Sequence, residues 1–319
     1  MRLALNFDAV ELEHAIRMRV PDLTILKPDA QGNIAGDIDA LLTSFAGIAP
    51  LAELIPKCHG LLWIHVLGTG VDGFPLALAE GRQLTCSRGA SAVPIAEWVM
   101  AMILTHEKDL PNRWAKAPPA HWFAAELGLV AGKTLGILGF GAIGQALARR
   151  ALAFDMRVVA QVRRPRPSPM PDVELLAELD ALLAAADHLV LALPATPETH
   201  HLLDATTFAK LKPGAHLINI ARASLVDQEA LRAALDSGRL ARASLDVVEP
   251  EPLPADHWLY SHPRVRLSPH ISWCGPGIVQ HILGLFLDNL EAFAQGRPPG
   301  GAAGAAPGHC CPPAAPKVR

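Results

Sequence analysis

The chain has 319 residues, 50% of them hydrophobic and 18% charged, with a formal net charge of −3 at pH 7. At roughly 150 residues per domain, this supports one large or two ordinary apolar cores and excludes wholesale disorder. No basic excess exists to neutralise a phosphate backbone, and a single Tyr and nine Phe make a poor base-stacking surface, so nucleic acid is not expected as a partner.

No stretch approaches the roughly 18 uncharged apolar residues of a spanning helix. At the start, Asp8 arrives before the apolar region of a leader could form. Five Cys, odd in number and scattered, do not make a disulfide framework in a chain of this length. The expectation is a cytoplasmic protein of a reducing compartment, with no membrane partner.

In chain order, apolar runs between turn signals predict strands at Leu3–Phe7, Leu23–Lys27, Ala40–Phe45, Leu61–Leu67 and Gln83–Ser87. Helical spacing falls between them at Val10–Arg19 and Leu51–Ile55. Ala92–Glu107 reads as a long apolar helix whose Trp98–Met102 face suits packing or a dimer surface. A second alternating block predicts strands at Thr134–Leu138, Arg157–Val162, His188–Leu193, His216–Ile220, Ala243–Val247 and Val265–Leu267. Its helices are expected at Ile143–Phe154, Val173–Ala186, Ala205–Lys210 and Gln228–Gly238. Six strands with intervening helices match a Rossmann-type sheet. A last helix, Ile278–Gln295, carries Ile282, Leu285, Phe286 and Leu290 at helical spacing. From Arg297 on, Pro, Gly and Ala dominate without periodicity, so the tail is expected to be disordered. His309-Cys310-Cys311 within it lacks the four ligands and the scaffold of a tetrahedral site, and no metal is expected.

Gly139-Phe140-Gly141-Ala142-Ile143-Gly144 is a G-x-G-x-x-G that follows a predicted strand and opens a predicted helix. Gly139 suits the tight turn, Gly141 the close approach of a pyrophosphate and Gly144 the helix–sheet packing. The helix N-terminus offers unpaired N–H groups to the phosphates. About 20 residues on, an acid would receive the ribose 2′-hydroxyl of NAD. Here the second strand ends in Arg163-Arg164, and two guanidiniums suit a 2′-phosphate instead. The cofactor expected is NADP(H), with NAD(H) as the alternative.

Three polar residues follow predicted strands of the second block, where open α/β sheets build their sites. They are Arg222 in Asn219-Ile220-Ala221-Arg222, Glu251 in Val248-Glu249-Pro250-Glu251-Pro252, and His270 in Ser268-Pro269-His270-Ile271-Ser272. Reversible carbonyl reduction needs this set: Arg for a carboxylate and the adjacent carbonyl, His for the proton, Glu to orient the imidazole.

With these segments in order, the chain resembles the D-isomer-specific 2-hydroxyacid dehydrogenase family, which includes phosphoglycerate dehydrogenase and glyoxylate/hydroxypyruvate reductase. The likeness runs from about Leu61 to Asn289. It takes in Gly68-Thr69-Gly70-Val71-Asp72, Ala96-Glu97, the glycine turn, Leu193-Pro194-Ala195-Thr196-Pro197-Glu198-Thr199 and the three segments above. The resemblance implies Arg222 for substrate orientation, Glu251 as partner acid and His270 as proton donor. It further implies that amides around Thr69 and Gly70 bind the substrate carboxylate, and that Ala142, Ile143, Leu193, Pro194, Ile220, Ala221 and Asp246 line the cofactor site. The fold implied is α/β with two domains. A Rossmann-type nucleotide-binding domain, 97–271, is inserted into a flavodoxin-like substrate domain, 1–96 and 272–296, ahead of a disordered tail, 297–319. A homodimer is expected.

The expected activity is hydride transfer between NADP(H) and a small 2-keto or 2-hydroxy acid, with glyoxylate or hydroxypyruvate favoured. The alternatives are an NAD-linked phosphoglycerate or D-lactate dehydrogenase, and a dinucleotide-sensing scaffold without turnover. Departures from the family are Ala223 where Gly is usual after the Arg, Asp155 in place of a common Gly, and Trp273 close to His270. His59, His65, His200, His201 and Lys108 are expected in packing or at the surface, and Cys86 and Cys274 without nucleophilic chemistry.

Overall fold

The computed structural model describes residues 1–44, 47–71, 73–110, 112–118, 121–123, 125–163 and 166–300. The chain forms two compact units, residues 1–91 with the chain from Pro276 on, and Ala92–Gly275.

The first unit holds β1 (Arg2–Leu5), α1 (Val10–Arg19), β2 (Thr24–Leu26), β3 (Ala40–Thr43), α2 (Leu51–Leu54), β4 (Trp63–Val66) and β5 (Gln83–Cys86). The strands pair in parallel in the order β2-β1-β3-β4-β5, which is the flavodoxin-like arrangement. Every residue of β3 and β4 is buried, as a sheet covered on both faces requires. One face packs Leu54, Ile55 and Phe74 on Ile64 and Val66. The other gathers Leu12 and Ile16 of α1 with Trp63, Phe286 and Leu290, and the Trp63 indole stacks on Phe286 at 6.0 Å between ring centroids. β4 also carries His65 into this core. It is fully buried, 2.8 Å from Thr85 Oγ1 and 3.3 Å from Ser87 Oγ, so it packs as expected. His59 is exposed.

The second unit runs from α3 (Ala92–Glu107) through β6 (Thr134–Leu138), α4 (Ala142–Leu152), β7 (Arg157–Gln161), β8 (Val173–Leu176), α5 (Leu179–Ala185) and β9 (His188–Leu191). It continues with α6 (Ala205–Lys210), β10 (Ala215–Asn219), α7 (Gln228–Asp236), β11 (Leu240–Leu245) and β12 (Val265–Leu267). All seven strands are parallel, in the order β12-β11-β10-β9-β6-β7-β8, a Rossmann-type sheet with its switch point between β9 and β6. The chain then returns to the first unit as α8 (Ile278–Ala294).

Two expectations are corrected. Val173–Ala186 is not one helix: Val173–Leu176 pairs with β7 as the seventh strand, and the helix begins at Leu179. Leu175, Leu179, Leu182 and Leu183 satisfy a helical period across that junction, and pairing with Val158–Gln161 overrides it. The chain from Arg297 is also not free at once. Pro299 is buried, its carbonyl accepts from Gln83 Nε2 at 2.9 Å, and Gly300 N donates to Asn289 Oδ1 at 2.7 Å. Residues 301–319, with His309-Cys310-Cys311, lie outside the described residues. Elsewhere the expected elements stand with ends displaced by a few residues. Among the described residues, no helix is long and apolar enough to cross a membrane.

At the amino ends of its strands, the second unit buries a polar network. His188 Nδ1 meets His216 Nδ1 at 3.2 Å, and His216 Nε2 meets Ser244 Oγ at 2.9 Å. Glu107 takes an ion pair from Lys133 at 2.7 Å and lies 3.2 Å from His188 Nε2. Arg242 Nε donates to His106 Nδ1 at 3.2 Å. Burial pushes His65 down to about 3 and His106 to about 4, and it also pushes His216 well down. Burial works to raise the Glu107 carboxyl, but contacts with His188 and Lys133 outweigh it and hold the group at about 2.

His65, His106 and His216 are neutral in the fold and gain protons on unfolding below their ordinary value of about 6.5, so stability falls as pH falls through that value. Glu107 has the same sign but a lower window: its contribution is lost as pH falls through the ordinary carboxylate value of about 4.5 toward 2. Between about pH 6.5 and 4.5 the decline therefore belongs to the histidines, at roughly 2–4 °C per kcal/mol lost for domains of this size. Thermal melts across that range should show the midpoint falling, and His65→Gln should make the fall shallower. A midpoint independent of pH there would contradict the assignment.

Candidate active site and cofactor cradle

The glycine turn joins β6 to α4 at the switch point of the second sheet. Gly139 has φ +94°, and a Cβ there would lie 2.6 Å from the Ala192 carbonyl oxygen, so the turn itself demands glycine. A Cβ at Gly144 would lie 2.7 Å from the Gly139 carbonyl oxygen, which fixes how closely the helix packs. Gly141 is different: its added Cβ meets nothing within 4 Å. The fold therefore does not require glycine at 141, and the backbone there is open to the close approach of a bound group. No side chain caps α4 at Gly141, and Ala142 is exposed with Ile143 half-buried beside it. An open cradle at an uncapped helix N-terminus fits a dinucleotide pyrophosphate.

At the end of β7, Arg163 is exposed, and Arg164 lies outside the described residues. Bonds from Thr196, then its own backbone N–H, hold the Glu198 carboxyl below its usual range, and Arg163 adds to the effect. A third arginine, which reading the Arg163-Arg164 pair alone missed, reaches the turn itself: Arg166 Nη2 donates to the Phe140 carbonyl at 3.1 Å. Its signal was the continued run Arg163-Arg164-Pro165-Arg166. Of the other cofactor-lining candidates, Leu193 is half-buried, Pro194 exposed, and Ile220 and Ala221 buried.

β10, β11 and β12 are neighbours, and their carboxyl ends deliver Arg222, Glu251 and His270 to one end of the sheet. Asn219 pins the first turn, accepting from Ala221 N at 3.0 Å and donating to the Arg222 carbonyl at 2.9 Å. Ala223 opens a short 3₁₀ turn, so its Cβ does not disturb the backbone after Arg222. Glu251 accepts from Val248 N at 3.0 Å with one oxygen, and its other oxygen meets His270 Nδ1 at 2.9 Å. A carboxylate only accepts, so Nδ1 carries the hydrogen and Nε2 is left to take up and release a proton. Both side chains are partly exposed, and Nε2 has no partner among the described residues.

His270 has φ +56°, a left-handed backbone rare for a non-glycine residue. Trp273 Nε1 donates to its carbonyl at 2.9 Å. Asp246 is 1% exposed, and its carboxylate accepts from Ser268 Oγ at 2.5 Å, Ile271 N at 2.9 Å and Ser272 N at 3.0 Å. These bonds to the His270 loop were not visible in the sequence. Asp155 is exposed as expected, but φ +56° shows why glycine suits that place.

In the first unit, Thr69 is exposed and Gly70 half-buried after β4, while the Gly68 carbonyl accepts from Ser87 N at 2.8 Å. Asp72 of the same motif lies outside the described residues. Lys108 is tied to the Gly128 carbonyl at 2.8 Å. His200 and His201 stack on each other at the surface, and among the described residues no group of side chains could hold a metal ion.

A switch-point glycine cradle beside an Arg, Glu and His at the carboxyl ends of a Rossmann sheet defines a dinucleotide-dependent oxidoreductase with two domains. The family model for the D-isomer specific 2-hydroxyacid dehydrogenase NAD binding domain matches residues 100–272. Glyoxylate/hydroxypyruvate reductase B of Citrobacter koseri is 35% identical, over 89% of this chain and 90% of its own. Among solved structures, a D-isomer specific 2-hydroxyacid dehydrogenase from Xanthobacter autotrophicus, in complex with NADPH and MES, superposes with a TM-score of 0.80 at 28% identity, covering 95% of this chain and 98% of that one. A glyoxylate reductase from Paecilomyes thermophila gives 0.76 at 29% identity, covering 92% and 94%. The chain belongs to the D-isomer specific 2-hydroxyacid dehydrogenase family and is an NAD(P)-dependent oxidoreductase acting on CH–OH groups.

The three glycines separate by experiment. Gly141→Ala should leave the melting midpoint unchanged yet weaken cofactor binding by about tenfold or more, the scale of forcing one methyl into a filled contact. Gly139→Ala should instead lower the midpoint. Titration by nucleotide fluorescence beside thermal melts would check both, and unchanged binding in Gly141→Ala would contradict the cradle.

Proposed function

We propose that the protein reduces a small 2-keto acid to the 2-hydroxy acid with NADPH, glyoxylate and hydroxypyruvate being the substrates favoured. The observation that carries this reading is the His270–Glu251 pair, 2.9 Å apart, at the end of the sheet that also presents Arg222. The nicotinamide, when bound, supplies the hydride that reduces the carbonyl carbon. Arg222 holds the substrate carboxylate and polarises the adjacent carbonyl, a pairing for which a planar guanidinium is suited. The developing alkoxide takes its proton from His270 Nε2, while Glu251 fixes the tautomer and steadies the imidazolium. Amides around Thr69 and Gly70 add donors to the carboxylate. The reading makes the 97–271 segment the nucleotide domain and the flanking segments the substrate domain.

Support for NADPH comes from the arginines. Arg163 stands with Arg164 where NAD-specific chains place an acid, and Arg166 is anchored on the glycine turn. The relatives named glyoxylate/hydroxypyruvate reductase B support the substrate class. A homodimer is also part of the reading: Trp114, Trp122, Phe123, Leu127 and Leu129, close in sequence, each expose a large apolar side chain that a second copy could cover.

Three measurements test this. Loss of reduced-cofactor absorbance with glyoxylate and with hydroxypyruvate should be faster with NADPH than with NADH; NADH preference would remove the role of the arginines. His270→Ala should lower turnover by about a hundredfold or more while cofactor still binds, the scale of a general acid. Light scattering should give twice the chain mass, falling toward one chain on Trp122→Ser with Phe123→Ser.

A further inference from the structure

We propose that Gln228 is a positioning residue for the Glu251–His270 pair: its side-chain amide latches the loop that carries Glu251 to the start of α7. The proposal rests on the reading of His270 and Glu251 above and adds a residue that lies outside the glycine turn and the three catalytic segments. Gln228 Nε2 donates to the Glu249 carbonyl at 2.7 Å. A carbonyl only accepts, so the amide group that faces it is the NH₂. Just beyond, Glu251 Oε1 accepts from Val248 N at 3.0 Å, and Oε2 meets His270 Nδ1 at 2.9 Å. The latch thus closes on the same short stretch that ends in the carboxylate partner of His270.

The chemistry of the loop explains why a latch is needed. Glu249, Pro250, Glu251 and Pro252 are all exposed, so packing does little to fix them. Pro250 and Pro252 have no N–H to bond with, so the loop must be held through its carbonyls or its few remaining amides. The other end of the latch is rigid. Gln228 opens α7, where Asp227 caps the helix by accepting from Glu229 N at 3.0 Å and Ala230 N at 3.1 Å. Asp227 N donates to the Leu203 carbonyl at 2.9 Å, Val226 bridges to Leu203, and Leu225, Val226 and Leu231 are buried. This anchored turn begins at Arg222, so Gln228 ties the segment that presents the guanidinium to the segment that presents Glu251. The amide is turned inward at a cost: Gln228 Oε1 is buried and meets no partner among the described residues, and an unpaired buried acceptor is unfavourable. The bond at Nε2 is what holds the side chain there.

The test is steady-state kinetics of Gln228→Met and Gln228→Glu in the full chain, beside thermal melts, with Glu251→Gln and His270→Ala measured alongside. Met keeps the length and removes the donor. Glu keeps the shape but turns an acceptor on the Glu249 carbonyl, while suiting the first turn of a helix, where a carboxylate is favoured. Gln228→Met should lower kcat by about two- to tenfold, the worth of one neutral hydrogen bond, with the Kd for NADPH changed less than about twofold. Gln228→Glu should lower kcat further while its melting midpoint holds. The alkaline limb of the kcat/KM profile for reduction should move to lower pH in both, because a looser Glu251 favours the protonated imidazole less. In a Glu251→Gln background, Gln228→Met should cost far less than in the wild type, because the carboxylate it positions is already gone. Unchanged kcat in both variants, equal losses in the two backgrounds, or a loss confined to the Kd for NADPH would each overturn the positioning role. If one variant fails to fold, the other decides by the same outcomes. Turnover that survived His270→Ala would instead overturn the underlying reading of His270, and the latch with it.

Discussion

In both sheets each strand runs parallel to its neighbours, and the rest of the structure depends on that constraint. A parallel pair cannot be joined by a tight turn, so each connection crosses over and each strand delivers its next loop to the same end of the sheet. The carboxyl ends of β6, β9, β10, β11 and β12 thus accumulate the glycine turn, the Leu193-Pro194 loop, Arg222, Glu251 and His270 from segments far apart in sequence. Burial on both faces makes the strands mainly apolar, and polar chemistry gathers in the loops at their carboxyl ends. The amino ends face a different problem. There the second unit buries Glu107, His188 and His216, which meet one another.

Much of this was legible in the residues. Gly139, Gly141 and Gly144 fall between an apolar strand and a helix, and the fold itself accounts for glycine at 139 and 144 while leaving open space at 141. Arg222, Glu251 and His270 could be recognised because open sheets place polar chemistry just after strands. β8 was hidden because Val173-Glu174-Leu175-Leu176 is short and flows into a helix of similar composition; only its partner β7 distinguishes it. The anchoring of Pro299 and Gly300 escaped for a similar reason, since its partners are single atoms of Gln83 and Asn289.

What stayed hidden from the sequence are contacts to loops and backbone. The family resemblance put Asp246 at the cofactor site, but nothing in its spacing announces that it gathers Ser268, Ile271 and Ser272. Arg166 likewise reads as a solvated cation until its contact with the Phe140 carbonyl is seen. Side chains that bond main-chain groups leave no periodic trace, whereas side chains that meet a ligand tend to sit at motif positions. Hydropathy and spacing therefore show where a reaction takes place more readily than what holds its parts still.

The return of the chain as α8 has a consequence for the order of assembly. Trp63 in the centre of the first sheet is covered by Phe286 and Leu290, residues made only after the whole of the second unit. During synthesis from the N-terminus, the five-stranded sheet therefore leaves the ribosome with one face covered only in part, by Leu12 and Ile16 of α1. The inserted unit, whose core draws on Ala92–Val265, has everything it needs before α8 appears. The unit begun first is thus completed last, and until α8 arrives its uncovered Trp63 region is an aggregation liability of the nascent chain.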